Sequence, residues 1–354
     1  MIPSEFTSAS VSESFSESPP ESPPESVSPS GSDSTADAGS TWSLSLDPIP
    51  GTAFVALGDL RDNHRVFDLL CTNFSDVRVA GSREQALDEM TALGPRVCAA
   101  IIGVKERIDA TVLDALPGLR ALGSVGAGTD HLDLDALRER DVQVVTTPGV
   151  NAVSVAEHTM MMILGLAKRT LTAHSAVLAG TDRAGMPEPP IELRGRRAGV
   201  LGAGATARAL LPLLRAFGVD PMFWTRTPDR HPDLSTAPLE VIFRHSDILS
   251  IHLPLTNGTR GLVGAELLTL LPEGALVVNT ARKEVLDLAG LPAVLSRRPD
   301  LRLAVDDFGL AADGTAVALG PTALLSPHTA GVTVESLGAM QDSAVRGTIA
   351  RLRG

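Results

Sequence analysis

The pattern of hydrophobic and polar positions changes at about residue 50. Residues 1–50 are rich in Ser, Pro and Glu, whereas from about residue 53 short apolar runs alternate with segments of helical periodicity. A Ser/Pro/Glu-rich segment cannot bury enough apolar surface to offset the conformational entropy lost on folding. Apolar strands alternating with helices indicate parallel β-sheets covered on both faces. The chain is therefore predicted to have a disordered tail over 1–50 and an α/β body.

The body divides into two sets of predicted elements joined by a long helix. The first set has strands at 54–57, 99–102, 119–125 and 142–147 and a helix at 84–93. The second set has strands at 198–201, 221–225, 248–252, 275–279 and 303–306 and a helix at 206–217. The joining helix is predicted over 153–179, with Ser154 and Glu157 at the spacing of a capping box. We expect two doubly wound domains, 51–152 plus 326–354 and 153–325.

Charge and cysteine content exclude several classes of protein. The net charge is −12, but residues 1–50 hold eight acidic residues and neither Lys nor Arg, which leaves about −4 for the body. Such a body argues against a nucleic-acid partner, because phosphate binding needs clustered positive charge. Cys71 and Cys98 lack metal-ligand spacing, so no metal is expected. Neither a membrane span nor a signal peptide is found in the sequence, and we expect a cytoplasmic protein.

A glycine-rich turn opens the second predicted domain. The motif Gly202-x-Gly204-x-x-Ala207 lies between an apolar strand and a helix, which is the context that a Rossmann dinucleotide site requires. Gly202 permits the tight turn and Gly204 lets the backbone approach a pyrophosphate. The N–H groups at the start of the helix, where Ala205 and Thr206 lie, then face the anion.

The residues after the next predicted strand distinguish the two nicotinamide cofactors. An NAD site usually has Asp or Glu there, which binds the ribose 2′-hydroxyl. This chain has Thr225-Arg226-Thr227 instead, and a guanidinium with two hydroxyls suits a 2′-phosphate. The sequence therefore favours NADP(H). If Arg226 is only an exposed loop arginine, NAD(H) is the cofactor.

Six further motifs occur in order along the chain. They are VGAGTDHLD at 125–133, GVNAVSVAEH at 149–158, LRGRRAGVLG at 193–202, DILSIHLPLT at 247–256, NTAR at 279–282 and SPHTAG at 326–331. Together they resemble the D-isomer-specific 2-hydroxyacid dehydrogenase family. The resemblance implies a Rossmann cofactor domain inserted into a flavodoxin-like substrate domain, and a homodimer formed through the cofactor domains. It also implies hydride transfer between a nicotinamide and C2 of a small 2-keto or 2-hydroxy acid.

The resemblance assigns roles to individual residues. Arg282 is the expected catalytic arginine, which binds the carboxylate and polarises the carbonyl, and His328 is the expected proton donor. Backbone N–H groups near Val125 and Gly126 are expected to hold the substrate carboxylate. The expected substrate contacts are Val125, Gly126, Asn151 and Arg282. The expected cofactor contacts are Gly202, Gly204, Ala205, Thr206, Thr225, Arg226, Thr227, Pro254, Thr280, Ala281, Asp306 and His328.

The chain departs from the family pattern near the expected catalytic histidine. Ala311 stands where the family has a Glu that binds the histidine, and Lys283 stands where it has Gly. Without that carboxylate, His328 would be less often protonated and less well oriented. Asp313 is an alternative partner if its loop carries it inward.

Three functions are therefore left open by the sequence. The first is a 2-keto acid reductase for glyoxylate, hydroxypyruvate or a larger acid. The second is a weak or inactive cofactor-binding paralogue, and the third is a dehydrogenase of the same fold for another small anion. Lys105, in a loop of the first domain, is interpreted as a solvated lysine rather than as a contact for a second anionic group.

Overall fold

A computed structural model of the chain describes residues 47–307, 319 and 323–354. Ala311 and Asp313 lie outside these residues. The described part belongs to one compact unit, Leu46–Gly354, and contains two parallel β-sheets.

The first sheet has five strands in the order β2-β1-β3-β4-β5. The strands are β1 (Ile49–Val55), β2 (Phe74–Val79), β3 (Val97–Ile102), β4 (Ala121–Ser124) and β5 (Gln143–Val145). Successive residues of β3 pack into opposite cores, Ala100 and Ile102 on one face and Ala99 and Ile101 on the other. Burial of both faces explains why these strands appear in the sequence as unbroken apolar runs.

The second sheet has six strands in the order β11-β10-β9-β8-β6-β7. The strands are β6 (Arg197–Leu201), β7 (Asp220–Trp224), β8 (Ile248–Ile251), β9 (Leu276–Asn279), β10 (Arg302–Asp306) and β11 (Leu324–Ser326). Val200 and Leu201 pack into opposite cores, so this sheet is also covered on both faces. These two parallel α/β layers confirm the predicted fold class.

Helices cover both sheets. In the described part of the chain they are α1 (His64–Asn73), α2 (Ala86–Leu93), α3 (Ala110–Asp114), α4 (Leu134–Glu139), α5 (Ala152–Ala167), α6 (Thr170–Leu178), α7 (Ala205–Ala216), α8 (Leu239–His245), α9 (Ala265–Leu268), α10 (Leu291–Arg297) and α11 (Val334–Arg353). The last helix, α11, returns to the first sheet, where Ala344 and Val345 join the core that contains Val55 and Ile101.

The strand order reverses once in each sheet, between β1 and β3 and between β6 and β8. In open parallel sheets a ligand binds outside the carboxyl ends of the strands at such a reversal, because the loops there separate in opposite directions. The loop after β6 is the glycine turn. The topology therefore predisposes this edge of the second sheet to hold a ligand.

Several predicted boundaries are wrong. The strand β1 begins at Ile49, inside the predicted tail, because Ile49 is buried and pairs with Phe74. The predicted helix over 153–179 is two helices, since Arg169 adopts a left-handed conformation with φ of 53°. Ser154 does not cap α5, which starts after Asn151; its hydroxyl donates to the carbonyl of Ala330 at 2.7 Å.

The packing of α11 on β4 gives a testable expectation about stability. A Cβ at Gly123 would lie 2.4 Å from Thr348 Oγ1 and 3.2 Å from the carbonyl of Ala344. We expect Gly123→Ala to lower the free energy of unfolding by about 1–3 kcal/mol, the usual cost of overpacking. Urea unfolding measures it, with Gly258→Ala, where no atom lies within 4 Å, as the control. Equal stability of the two variants would contradict this packing.

Candidate active site

A cavity of about 600 Å3 lies between the carboxyl ends of the two sheets. Loops after β3 and β4 of the first sheet and after β6, β8, β9 and β11 of the second contribute to its wall. Twelve of the sixteen expected substrate and cofactor contacts line it: Val125, Gly126, Asn151, Gly204, Ala205, Thr206, Pro254, Thr280, Ala281, Arg282, Asp306 and His328. Gly202, Thr225, Arg226 and Thr227 lie outside that lining.

The glycine turn leaves room for an anion at the start of α7. Gly202 has φ of 111°, and a Cβ there would lie 2.5 Å from the carbonyl of His252, so only glycine fits without strain. No protein atom lies within 4 Å of the position that a Cβ at Gly204 would take, so a ligand can approach the backbone there. No side chain caps α7. The free N–H groups at the start of α7 therefore face this open space, where a pyrophosphate could bind.

Arg282 follows β9 and reaches across the cavity to a loop of the first sheet. Its Nε lies 3.2 Å from Asp130 Oδ1 and 3.4 Å from Oδ2, and its Nη2 lies 3.2 Å from Oδ1. Its Nη1 donates to the carbonyl of Ala281 at 3.0 Å. Asp130 therefore holds one edge of the guanidinium, and the Nη1–Nη2 edge keeps two further N–H groups for a ligand.

Two residues that sequence reasoning missed fix the position of Arg282. A Cβ at Gly128 would lie 2.2 Å from Nη2 of Arg282, so the guanidinium occupies the space that this glycine leaves. Buried Asn279 accepts from the N–H of Ala281 at 3.0 Å and donates to the carbonyl of Arg282 at 2.8 Å. The motifs at 125–133 and 279–282 contain both residues, but neither motif shows that they meet.

His328 lies in a loop that Asp306 fastens to the second sheet. Asp306, at the end of β10, accepts from the N–H groups of Thr329 and Ala330, both at 2.9 Å, and from the Ser326 hydroxyl at 2.5 Å. His328 itself has φ of 61°, a left-handed conformation that is strained for a residue with a Cβ. Bonds on both sides of His328 therefore hold its backbone in place.

The backbone N–H groups near Val125 and Gly126, predicted to hold a carboxylate, differ in their hydrogen bonds. The N–H of Val125 donates to Ile102 of β3 at 2.8 Å, and that of Gly126 donates to the Ser124 carbonyl at 3.0 Å. These two N–H groups are therefore used at the end of the first sheet in this structure. For the next N–H groups, of Ala127 and Gly128, the described residues provide no acceptor, and both line the cavity.

The residues at 225–227 follow β7, next to β6 and its glycine turn. Thr225 Oγ1 accepts from the N–H of Thr227 at 3.3 Å, and Arg226 is exposed.

Among the described residues no group of three or more His, Cys, Asp or Glu side chains is arranged as a metal site. No described helix is long and apolar enough to span a membrane.

Comparison with known proteins identifies the family. The sequence model for the NAD-binding domain of D-isomer-specific 2-hydroxyacid dehydrogenases matches residues 160–330. The (S)-sulfolactate dehydrogenase of Chromohalobacter salexigens is 32% identical over 302 residues, 80% of this chain and 93% of that protein. The chain belongs to the D-isomer-specific 2-hydroxyacid dehydrogenases. It is therefore an oxidoreductase with a nicotinamide cofactor, and its family acts on small 2-keto or 2-hydroxy acids.

Further relatives and solved structures agree with this assignment. A glyoxylate reductase of Thermofilum pendens is 30% identical over 283 residues, 77% of this dehydrogenase and 82% of that protein. The TT0316 protein from Thermus thermophilus superposes with a TM-score of 0.72 at 29% identity, covering 86% of this chain and 97% of that one. A D-lactate dehydrogenase from Aquifex aeolicus, complexed with NAD and lactic acid, gives 0.73 at 22% identity over 86% and 96%. At that identity the likeness concerns the fold alone.

Burial and a neighbouring arginine lower the pKa of His328, the candidate proton donor of this dehydrogenase. Burial lowers the pKa of His328, and the positive charge of Arg282 lowers it further. The carboxylates of Asp306, Asp307 and Asp130 act in the opposite direction, but the net direction is downward. The neutral imidazole of His328 is therefore favoured in the free dehydrogenase.

Two other histidines near the cavity are also kept neutral. Burial lowers the pKa of His131, whose Nε2 lies 3.1 Å from Ser124 Oγ. Burial lowers the pKa of His252 to about 4, and its Nε2 lies 2.8 Å from Ser250 Oγ.

The low pKa of His252 predicts a specific loss of stability in acid. The unfolded chain protonates this histidine below its ordinary value of about 6.5, whereas the folded protein resists protonation down to about pH 4. The contribution is present above pH 6.5 and is lost as the pH falls towards 4, by up to about 3 kcal/mol. We expect His252→Gln to flatten the plot of unfolding free energy against pH in this interval. The same change at exposed His174 is the control, and an equal slope in both variants would contradict the account.

Proposed function

We propose that this dehydrogenase reduces a 2-keto acid to a D-2-hydroxy acid with NADPH, and also catalyses the reverse oxidation. One observation carries the proposal. Arg282, His328, the glycine turn and the loop at 125–128 line a single cavity, although they come from both sheets. Bound there, the nicotinamide would donate hydride to C2 or accept it from C2.

Arg282 and the loop after β4 bind and orient the acid. The free Nη1–Nη2 edge of Arg282 donates to the carboxylate and to the keto oxygen, where negative charge develops during reduction. The N–H groups of Ala127 and Gly128 donate to the same carboxylate. Asp130 keeps this edge directed into the cavity because it binds the opposite side of the guanidinium.

His328 supplies the proton that the developing alkoxide needs, and recovers it in the reverse direction. Asp306 holds the loop of His328 through the neighbouring N–H groups. Because burial lowers the pKa of His328, reduction is favoured at mildly acid pH and declines as the pH rises. Ala311, outside the described residues, offers no carboxylate to offset this effect.

We also propose the cofactor form, the domain limits and the assembly. NADP(H) is favoured because Arg226 and two threonines follow the strand beside the glycine turn. The first sheet with α11 forms the substrate domain, predicted as 51–152 with 326–354 and extended to Ile49 by β1, and the second sheet belongs to the cofactor domain at 153–325. A second copy of the chain covers the exposed apolar side chains on α5 and α6, among them Met161, Leu171, Val177 and Leu178.

Turnover with a panel of 2-keto acids tests the proposed reaction. NADPH oxidation is followed with each acid between about pH 5.5 and 8. We expect Arg282→Gln and His328→Gln each to lower kcat/KM by roughly 10²- to 10⁴-fold, because each removes stabilisation of the developing charge. The dissociation constant for NADPH, measured by its fluorescence, serves as the control for Arg282→Gln and should change little in that variant.

Three outcomes would contradict the proposal. Tight NADPH binding without turnover of any keto acid would identify a cofactor-binding paralogue, the function that Ala311 favours. Full activity of His328→Gln would remove the histidine from the chemistry. Turnover of formate or phosphite in place of keto acids would indicate the third alternative.

A separate measurement tests the cofactor preference. We expect Arg226→Gln to weaken NADPH binding by roughly 10- to 100-fold, the usual effect of losing a charge-assisted hydrogen bond, and to leave NADH binding unchanged. Exposed Arg230, four residues further on, provides the matched control variant. If wild-type protein binds NADH as tightly as NADPH, the preference is wrong.

A further inference from the structure

A second arginine reaches the cavity in the same way as Arg282. Arg83 comes from the loop before α2 in the first domain and lines the cavity together with Val104 and Lys105. Its Nε lies 2.7 Å from Glu106 Oε1, and its Nη2 lies 3.3 Å from Oε2. As at Arg282, a carboxylate holds the Nε–Nη2 edge of the guanidinium.

Glu106 is buried, and its carboxylate accepts hydrogen bonds only from groups of the first domain in the described structure. Its side chain is only 3% exposed, and besides Arg83 it accepts from the N–H of Gly103 at 2.8 Å. Both carboxylate oxygens are therefore used within the protein. A buried carboxylate needs such partners, since an unpaired charge in the interior is costly.

A glycine makes space for each of the two arginines. A Cβ at Gly103 would lie 2.5 Å from Nη2 of Arg83, just as a Cβ at Gly128 would lie 2.2 Å from Nη2 of Arg282. Each site thus combines a glycine, an arginine and a carboxylate on the Nε side. The arrangement at Arg282 is the proposed anchor of the substrate carboxylate, and the arrangement at Arg83 repeats it.

The outer part of the Arg83 guanidinium is available to a ligand. The side chain is 41% exposed, and no described residue accepts a hydrogen bond from its Nη1. An arginine held along one edge loses little further entropy when its other edge binds a planar or tetrahedral anion. Neighbouring Lys105 adds positive charge to the same wall.

We propose that Arg83 recognises a second anionic group on the substrate, so that the preferred 2-keto acid carries a carboxylate, phosphate or sulfonate beyond C2. This proposal rests on the proposed reduction of 2-keto acids. Arg282 binds the carboxylate next to the reacting carbonyl, and Arg83 binds the far anion. Arg83 is then a specificity-determining residue that does not touch the reacting atoms.

Matched pairs of acids test this role. Each pair shares its keto acid portion and differs in the second anion: 2-oxoglutarate with 2-oxopentanoate, and 3-phosphohydroxypyruvate with hydroxypyruvate. We expect wild-type protein to favour the dianionic member in kcat/KM by roughly 10- to 100-fold, and Arg83→Gln to remove that preference. Arg83→Lys should retain part of it.

Two controls show that the variant is folded and the effect local. Turnover of the monoanionic acids by Arg83→Gln should be unchanged. Arg78→Gln, at an exposed arginine that also pairs with a carboxylate, should keep the wild-type preference.

Calorimetry with glutarate and butyrate, in the presence of NADP⁺, measures binding without turnover. Glutarate should bind more tightly than butyrate to wild-type protein, and Arg83→Gln should abolish the difference.

Different results would overturn the reduction of 2-keto acids and the second anion site at Arg83. If no keto acid is reduced, the proposed reaction is wrong, and the glutarate measurement alone decides the role of Arg83. If both members of each pair are reduced equally well, or if Arg83→Gln keeps the preference, the second anion site is overturned while the proposed reaction stands. Equal binding of glutarate and butyrate to wild-type protein would overturn it as well.

Discussion

The ion pair between Arg282 and Asp130 joins the end of the second sheet to a loop of the first. Its geometry decides which N–H groups of the guanidinium face the cavity, because Asp130 uses the Nε edge and the carbonyl of Ala281 uses one N–H of Nη1. Gly128 provides the space, and Asn279 fixes the backbone behind the arginine. An anion can therefore be bound by an edge that is already oriented, which lowers the cost of ordering the side chain on binding.

The opposite wall of the cavity depends on Asp306. Its carboxylate holds the backbone after His328, whose left-handed conformation costs of order 1–3 kcal/mol. The Ser326 hydroxyl also lies 2.9 Å from His158 Nε2, and the Ser154 hydroxyl donates to the carbonyl of Ala330, so α5 supports the same loop. The histidine is positioned through its neighbours on both sides, in a place where burial lowers its pKa.

The sequence allowed the central strands and the glycine turn to be predicted, because buried parallel strands appear as apolar runs and a turn with φ of 111° requires glycine. The sequence pattern did not predict β2 and β11, because their residues are largely half-buried or exposed and buried and exposed positions do not alternate clearly. The break at Arg169 left no proline or glycine as a signal. The motifs located Arg282 and His328, but Asp130 meets Arg282 only through the fold, across 152 positions. Glu106 and Arg83 are likewise 23 positions apart, and no periodicity links them.

We propose that the two sheets bring a keto acid and a nicotinamide together for hydride transfer at C2. Reduction with NADPH that carries deuterium at the transferable C4 position tests it most directly. We expect a 2-hydroxy acid with one deuterium at C2 and with the D configuration that the family's specificity implies. A product without deuterium at C2, or with the L configuration, would contradict it.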